Sequence, residues 1–236
     1  MKRNFNMIWL AILVCLAMSS LVFANDTVVE IGSVTDLQAL ATAINEGTAT
    51  DTSWKLTESI DLPEEDSWAG IGASDHPFTG TFDGGNFTVT LPKNATAGLF
   101  NYVENGTIQD VNVAGNVTTT ADIFGAVVSY MNGGTVTNCT SSTVIDGTTV
   151  GGILGESKDG SAGLYMEECS NRGTITGTES TGGIVGFVRS SKTEILYCYR
   201  LGSIVGSTSQ TGGIVGEVDI NGNETALIKA CYSAGT

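Results

Sequence analysis

From residue 96 onward, apolar and polar positions recur with a period near 30 residues. Cys139, Cys169, Cys198 and Cys231 mark the register at spacings of 30, 29 and 33, and Val111 takes the same place 28 residues before the first. Three positions before each mark stands an apolar residue: Ile108, Val136, Met166, Ile195 and Ile228. Four positions after it stand Gly115, Thr143, Gly173, Gly202 and Gly235, and six after it Val117, Ile145, Ile175 and Ile204. Eight after it are Gly147, Gly177 and Gly206, with Thr119 in the first copy. Each full copy then carries a glycine block: Gly151, Gly152, Ile153, Leu154 and Gly155; Gly182, Gly183, Ile184, Val185 and Gly186; Gly212, Gly213, Ile214, Val215 and Gly216. Looser versions stand at Ala97-Gly98-Leu99-Phe100 and Gly125-Ala126-Val127-Val128.

A fixed period of this size is the signature of a repeat architecture. The units are short Val-, Ile- and Thr-rich runs, which suit a pleated and half-buried surface. Glycine separates them, supplying positive φ at corners and letting chain segments approach closely. No stretch after residue 95 has a capped helical period. Each unit therefore reads as one coil of a parallel β-helix, with equivalent residues stacked about 4.8 Å apart in ladders. The marks predict a cysteine column and the fourth offset a glycine column. Insertions collect between the glycine block and the next mark, the longest being Glu217–Leu227 with its turn at Asp219–Glu224.

Before residue 96 the pattern changes. Ser33 to Gly47 predicts a helix: Leu37, Leu40, Ala41 and Ile44 form one apolar stripe, Thr35 and Gln38 suggest a capping box, and Gly47 suggests the stop. Such a helix would cover the N-terminal end of the solenoid, where strand edges are otherwise open. Trp54, Leu56, Ile60 and Leu62 alternate as a strand, with Glu58 breaking the pattern as a bulge or an exposed edge. Asp83-Gly84-Gly85-Asn86 is turn chemistry ahead of a strand at Phe87, Val89 and Leu91. The expected architecture is all-β: a parallel β-helix, right-handed, of about 30-residue repeats with an N-terminal capping helix. Residues 1–24 read as a signal peptide, 25–95 as cap helix and irregular first coils, and 96–236 as the repeat solenoid, uncapped or truncated after Cys231–Thr236.

The Gly-Gly-Ile-Val-Gly block, with a cysteine about 13 residues earlier, resembles the GLUG-motif repeat of bacterial secreted and surface proteins. That resemblance extends over roughly residues 27–236. It implies a β-solenoid of a kind also found beside immunoglobulin-A-specific metallopeptidases, and it implies no catalytic residue.

The first 24 residues carry Lys2 and Arg3, an apolar run from Met7 to Met18 and a small-residue site at Val22-Phe23-Ala24. Secretion is the expectation, with no membrane span left after cleavage. Cys15 follows Val14, where a lipoprotein site needs a small residue. The formal charge is −15, and cleavage makes it more negative by two. Nucleic acid needs a basic patch and is excluded as a partner. A repulsive Thr/Gly/Asn surface suits an extracellular setting.

Candidate chemistry is sparse. The four cysteines read as buried free thiols, with an oxidised pair as the alternative; spacings near 30 do not suit zinc. His76, the only histidine, sits in a Ser74-Asp75-His76-Pro77 turn with no nucleophile motif nearby. Carboxylates at Glu64, Glu65, Asp66, Asp75 and Asp83 lie in loops, and Glu156, Glu167 and Glu168 at variable outward offsets, so no facing hydrolytic pair is evident. The Asp219, Asn221, Asn223 spacing fails the EF-hand pattern at Glu224 and Ala230. Seven Asn-x-Ser/Thr sequons, at Asn25, Asn86, Asn94, Asn105, Asn116, Asn138 and Asn223, read as a by-product of a Thr/Asn-rich surface. The chain therefore reads as a non-catalytic secreted or cell-surface module, with no cofactor and no metal. Its expected partner is a host extracellular protein or a glycan, with further domains downstream on the same polypeptide. The alternatives are a carbohydrate-active β-helix enzyme and the N-terminal stalk of a larger surface peptidase.

Overall fold

The computed structural model describes residues 28–49, 52–65, 67–158, 162–190, 192–206, 210–220 and 225–235. The expected signal peptide, Asn25, and the part of the long turn at 221–224 lie outside them. The chain is a parallel β-solenoid with one short helix. A representative coil runs through four sheets. Gly134–Thr137 lies in the first sheet, Thr140–Ser141 and Val144–Gly147 in the second, Thr149–Gly151 in the third and Leu154–Ser157 in the fourth, before the chain returns to the first at Leu164–Glu167. The first sheet is eight strands deep, from Val28–Ile31 to Leu227–Lys229, and each of its neighbouring pairs is parallel.

The period becomes register. Ile108, Val136, Met166, Ile195 and Ile228 pair in sequence, and the column runs back through Phe82 to Trp54. Phe100, Val128, Leu154, Val185 and Val215 form a second inward column on the fourth sheet. The interior changes filling along its length. Trp54, Phe78, Phe82 and Phe100 interlock in the first coils, with centroids 5.4, 4.9 and 5.2 Å apart in successive contacts. Later coils use aliphatic residues and thiols. In the last coil Ile228 stays 43% exposed although it continues the core column.

The helix spans Val34–Asn45, and its predicted stripe of Leu37, Leu40, Ala41 and Ile44 is buried in the same core as the first coils. Its cap differs from the expected one. Ser33 is extended and its Oγ accepts the Asp36 N–H at 3.2 Å, while the Asp36 carboxylate accepts from Gly32 N and Ser33 Oγ. Thr35 already lies inside the helix, so the capping box is Ser33 with Asp36 and not Thr35 with Gln38. The expected strand from Trp54 to Leu62 is also two strands. Ser53–Leu56 belongs to the first sheet and Ile60–Asp61 to the second, and Glu58 stands on the exposed corner between them. An interruption of the alternation thus marks a change of sheet.

The corner chemistry overturns one expectation. None of the glycines in the three blocks has positive φ; the left-handed residues at the corner between first and second sheets are Asp110, Asn138, Glu168, Tyr197 and Ala230, with φ of 51–55°. They stand immediately before Val111 and the four cysteines and form a ladder of their own. The Asp110 N–H donates to Thr137 O, that of Asn138 to Glu167 O, that of Glu168 to Leu196 O and that of Tyr197 to Lys229 O. This backbone ladder holds each corner in a conformation that Asp and Asn tolerate and that costs Glu, Tyr or Ala roughly 1 kcal/mol or more.

The block glycines serve close approach instead. A Cβ on Gly151, Gly182 or Gly212 would lie 1.8 Å from the carbonyl oxygen three residues on, at Leu154, Val185 or Val215. On Gly152 and Gly183 it would lie 2.3 and 2.1 Å from the oxygen of the next coil's equivalent glycine. The same second glycines make room for an interior polar column. Ser141, Asn171, Arg200 and Ser233 follow Val89 and Val113 in register. A Cβ added to Gly152 would lie 2.6 Å from the Asn171 side chain, one on Gly183 2.6 Å from Arg200 Cδ and one on Gly213 2.5 Å from Ser233 Oγ. The first three polar residues each bind their own backbone two positions on. Ser141 Oγ accepts from Thr143 N, Asn171 pairs with both Gly173 N and Gly173 O, and Arg200 donates to Gly202 O. Arg200 is 6% exposed and otherwise donates to Ser233 Oγ.

Two outcomes follow from this geometry. Gly183→Val is expected to destabilise the chain by well over 1 kcal/mol in urea unfolding, against a few tenths for Thr181→Val; equal midpoint shifts would contradict close approach as the reason for glycine. Tyr197→Asn is expected to stabilise by about 0.5–1 kcal/mol, because Asn tolerates the left-handed corner.

Candidate functional surface

The predicted repeat residues form columns rather than one concave site. Cys139, Cys169, Cys198 and Cys231 stand as free thiols on successive coils, the first three buried. Each Sγ donates back across its left-handed corner, to Thr137 O at 3.2 Å, Glu167 O at 3.4 Å, Leu196 O at 3.3 Å and Lys229 O at 3.4 Å. Those are the carbonyls that also receive the corner N–H of the coil before. The thiol is therefore a small interior group with one weak donor, placed where a second acceptor lone pair is free. Burial pushes the Cys169 thiol well up from its ordinary range, and the neighbouring thiols of Cys139 and Cys198 add to this.

The most elaborated exterior is the fourth sheet. Tyr102, Tyr130, Glu156, Phe187 and Glu217 align in register as one outward column. Glu104, Asn132, Lys158, Arg189 and Asp219 follow two positions on, in step through their backbone bonds. The columns interlock. Tyr102 stacks on Tyr130 at 5.9 Å, Lys158 Nζ lies 4.4 Å over Tyr130, and Arg189 lies 4.1 Å over Phe187. The Glu156 carboxylate sits between the two cations, 3.5 Å from Lys158 and 3.2 Å from Arg189. Glu156 is 5% exposed, so a residue read as outward on the sequence is enclosed by its partners. Burial, then the charges of Glu104 and Glu156, raises the Tyr102 hydroxyl above its usual range; Tyr130 is raised by burial and Glu156 in the same way.

Other carboxylates are dispersed. Glu64 accepts from Lys93 N at 3.1 Å, Asp83 pairs with Lys55 at 2.9 Å, and Glu217 accepts from Ser180 Oγ. Asp110 accepts from Asn138 and Gln109 on the outside of the corner. Glu167 and Glu168 lie on the first sheet and its corner, remote in register from Glu156 on the fourth. Among the described residues no group of three or more His, Cys, Asp or Glu could hold a metal ion. No described helix is long and apolar enough to cross a membrane.

His76 is placed in a cleft that the sequence reading missed. A cavity of about 310 Å³ lies between the helix end and the first coils, lined by Ile44, Trp54, Asp75, His76, Pro77 and Thr79 among others. The residues come from two stretches, 44–54 and 75–80, about 20 positions apart, with no shared period to announce their meeting. The fourth-sheet columns were equally hidden, because Tyr, Glu and Phe share no chemistry at that offset. Their one readable sign was the two-residue spacing of Glu156 with Lys158 and Phe187 with Arg189.

No family model matches the chain. In sequence it is similar to halomucin of Haloquadratum walsbyi (strain DSM 16790 / HBSQ001), 31% identical over 147 residues, which is 56% of this chain and 2% of that protein. In structure it is similar to a candidate immunoglobulin A1 protease from Bacteroides ovatus, with a TM-score of 0.73 and 19% identity over 90% of this chain and 67% of the other. It is also similar to an IgA1 protease, with a TM-score of 0.52 and 16% identity over 87% of this chain and 20% of the other. At these identities the structures share the solenoid fold.

The thiol column has a measurable signature. An unfolded thiol titrates near pH 8.5, whereas Cys169 keeps its proton to higher pH in the folded chain. Its contribution is therefore fully present below about pH 8.5 and is lost as pH rises toward the folded value. Cys169→Val, which places the Val111 side chain type in the column, is expected to fold and to change the slope of stability above about pH 8.5, through loss of the raised Cys169 thiol together with the hydrogen bond that lowers Cys198. An unchanged alkaline slope would show that the thiol does not govern it.

Proposed function

We propose that the chain is a non-catalytic extracellular solenoid module, which carries repeated outward columns to a host protein or a glycan. The observation behind this reading is the division of labour within each coil. The interior columns are specified by stacking, while the exterior of the fourth sheet departs from the Thr/Ser/Asn pattern to build an interlocked aromatic and charged face. The GLUG-like repeat identity rests on the glycine blocks and the cysteine register, and the shared fold with IgA1 protease chains supports it at the level of architecture. Secretion rests on the N-terminal charge and apolar run.

The stalk reading is compatible with this one. The chain covers 20% of one IgA1 protease and 2% of halomucin, so within such longer proteins a segment of this kind accompanies other parts. It would then act as a rigid spacer, with each coil adding about 4.8 Å of length. The carbohydrate-active alternative needs two carboxylates facing across a substrate; Glu156 is instead held between Lys158 and Arg189.

The test is binding of the secreted chain to an array of glycans and extracellular-matrix proteins, with reducing-sugar release assayed on the same glycans. Binding without release is the expected outcome. Release of reducing ends, abolished by a carboxylate substitution, would replace this reading with the enzymatic one. Silence in both assays would favour the spacer.

A further inference from the structure

Three features of the helix-bearing end meet at one place. They are the C-terminal end of the helix, the strand containing Trp54 and the turn at Ser74-Asp75-His76-Pro77. Asn45 ties the first to the loop before the turn: its side chain donates to Gly70 O at 3.1 Å and accepts from Gly72 N at 2.7 Å. The Asn45 carbonyl lies 3.1 Å from His76 Nδ1. Because a carbonyl only accepts, that contact puts the proton on Nδ1 and leaves Nε2 of the neutral ring as an acceptor. The Asp75 carboxylate, 77% exposed, stands at the rim 3.8 Å from the same ring.

The cleft opens to solvent on one side and has a volume of about 310 Å³, the low end of the range for small-molecule sites and enough for a single ring-sized ligand. Its apolar wall is Trp54, Ile44, Ala49 and Pro77, and its polar wall is Asp75, His76, Thr52 and Thr79. Among the described residues no Lys or Arg lines it, and the chain carries a net charge of −15, so an anion is disfavoured. What fits is a neutral ring with apolar edges and several hydroxyls. The hydroxyls would donate to the Asp75 carboxylate and to His76 Nε2 and exchange hydrogen bonds with the threonines. The C–H edges would pack on Pro77 and Ala49, with Ile44 and Trp54, 8% and 5% exposed, closing the floor beneath them.

We infer that this cleft binds one neutral sugar residue, as the terminal unit of a glycan. The inference deepens the glycan branch of the proposed function and rests on it. It adds one defined glycan contact at the helix-bearing end to the outward columns of the coils.

The experiment is saturation-transfer NMR and titration calorimetry of the secreted chain with methyl glycosides of glucose, galactose, mannose and N-acetylglucosamine. Choline and inorganic phosphate serve as cationic and anionic comparators. At least one glycoside is expected to bind in competition with the others. His76→Ala and Asp75→Asn are expected to weaken it about 5–10-fold each, the scale of one hydrogen bond. Both positions are substantially exposed, so the variants should keep the parent melting temperature within a few degrees. Lys229→Ala, exposed on the first sheet of the last coil, should leave affinity within about twofold. Binding of choline or phosphate alone, no binding of any glycoside, or sugar affinity indifferent to both cleft substitutions would each overturn the assignment. Array binding that survives both substitutions would reject the cleft and keep the surface-module reading. Hydrolysis of a bound glycoside-containing chain would reject the non-catalytic reading and keep the cleft.

Discussion

In-register parallel stacking is the constraint on which the rest of this structure depends. It places each side chain between its own equivalents about 4.8 Å above and below, so a position is viable only if it tolerates copies of itself. Isoleucine, valine and methionine do so by packing, and they fill the Ile108–Ile228 column. A thiol does so because it is small and can send its proton sideways to a carbonyl rather than to the next thiol. Like charges in one column need an opposite charge between them: Glu156 is followed by Phe187 before the next acid at Glu217, and Lys158 and Arg189, which do follow one another, share the Glu156 carboxylate.

The same constraint explains where glycine is spent. Four sheets in a coil of about 30 residues leave a narrow interior, and two segments must cross close to one another. The glycine blocks provide that crossing on one side, and the Ser141, Asn171, Arg200 column fills the other. The polar column is also what fastens each coil's tight bend, because these side chains bind backbone two residues on. Glycine block and polar column are two halves of one packing solution. Positive φ falls outside the blocks, at corner glycines such as Gly115 and Gly134 and at a corner that the backbone ladder enforces even on Tyr197.

Ligand-directed chemistry has to sit where stacking does not dictate the residue. Two places meet that condition. On the outer face of the fourth sheet, side chains within a coil and from neighbouring coils pair as unlike partners, aromatic with cation and cation with carboxylate. At the helix-bearing end, irregular coils supply turns that no equivalent position repeats, and there His76, Asp75 and Trp54 line one cleft. Similarity to IgA1 protease chains adds the solenoid fold to this picture and leaves these two places as features of this chain's own side chains.

The sequence by itself determined whatever repeats. A residue that recurs at a fixed offset contacts its own copies, so the Ile108–Ile228 and cysteine columns, the parallel coils and the β-class were all readable from spacing. The helix was readable too, since Leu37, Leu40, Ala41 and Ile44 need only local geometry to share a face. Its cap was misplaced by two residues, because Ser33 and Thr35 are alike in chemistry and only backbone conformation separates them. The tertiary structure alone decided contacts between different offsets: Asn171 against Gly152, Arg189 against Glu156, His76 against the end of the helix. It also decided that Asp110 through Ala230, and not the block glycines, turn the corner. Periodicity records which residues stack, whereas these contacts depend on the shape of the coil's cross-section. That shape is set by how four short sheets close around one interior.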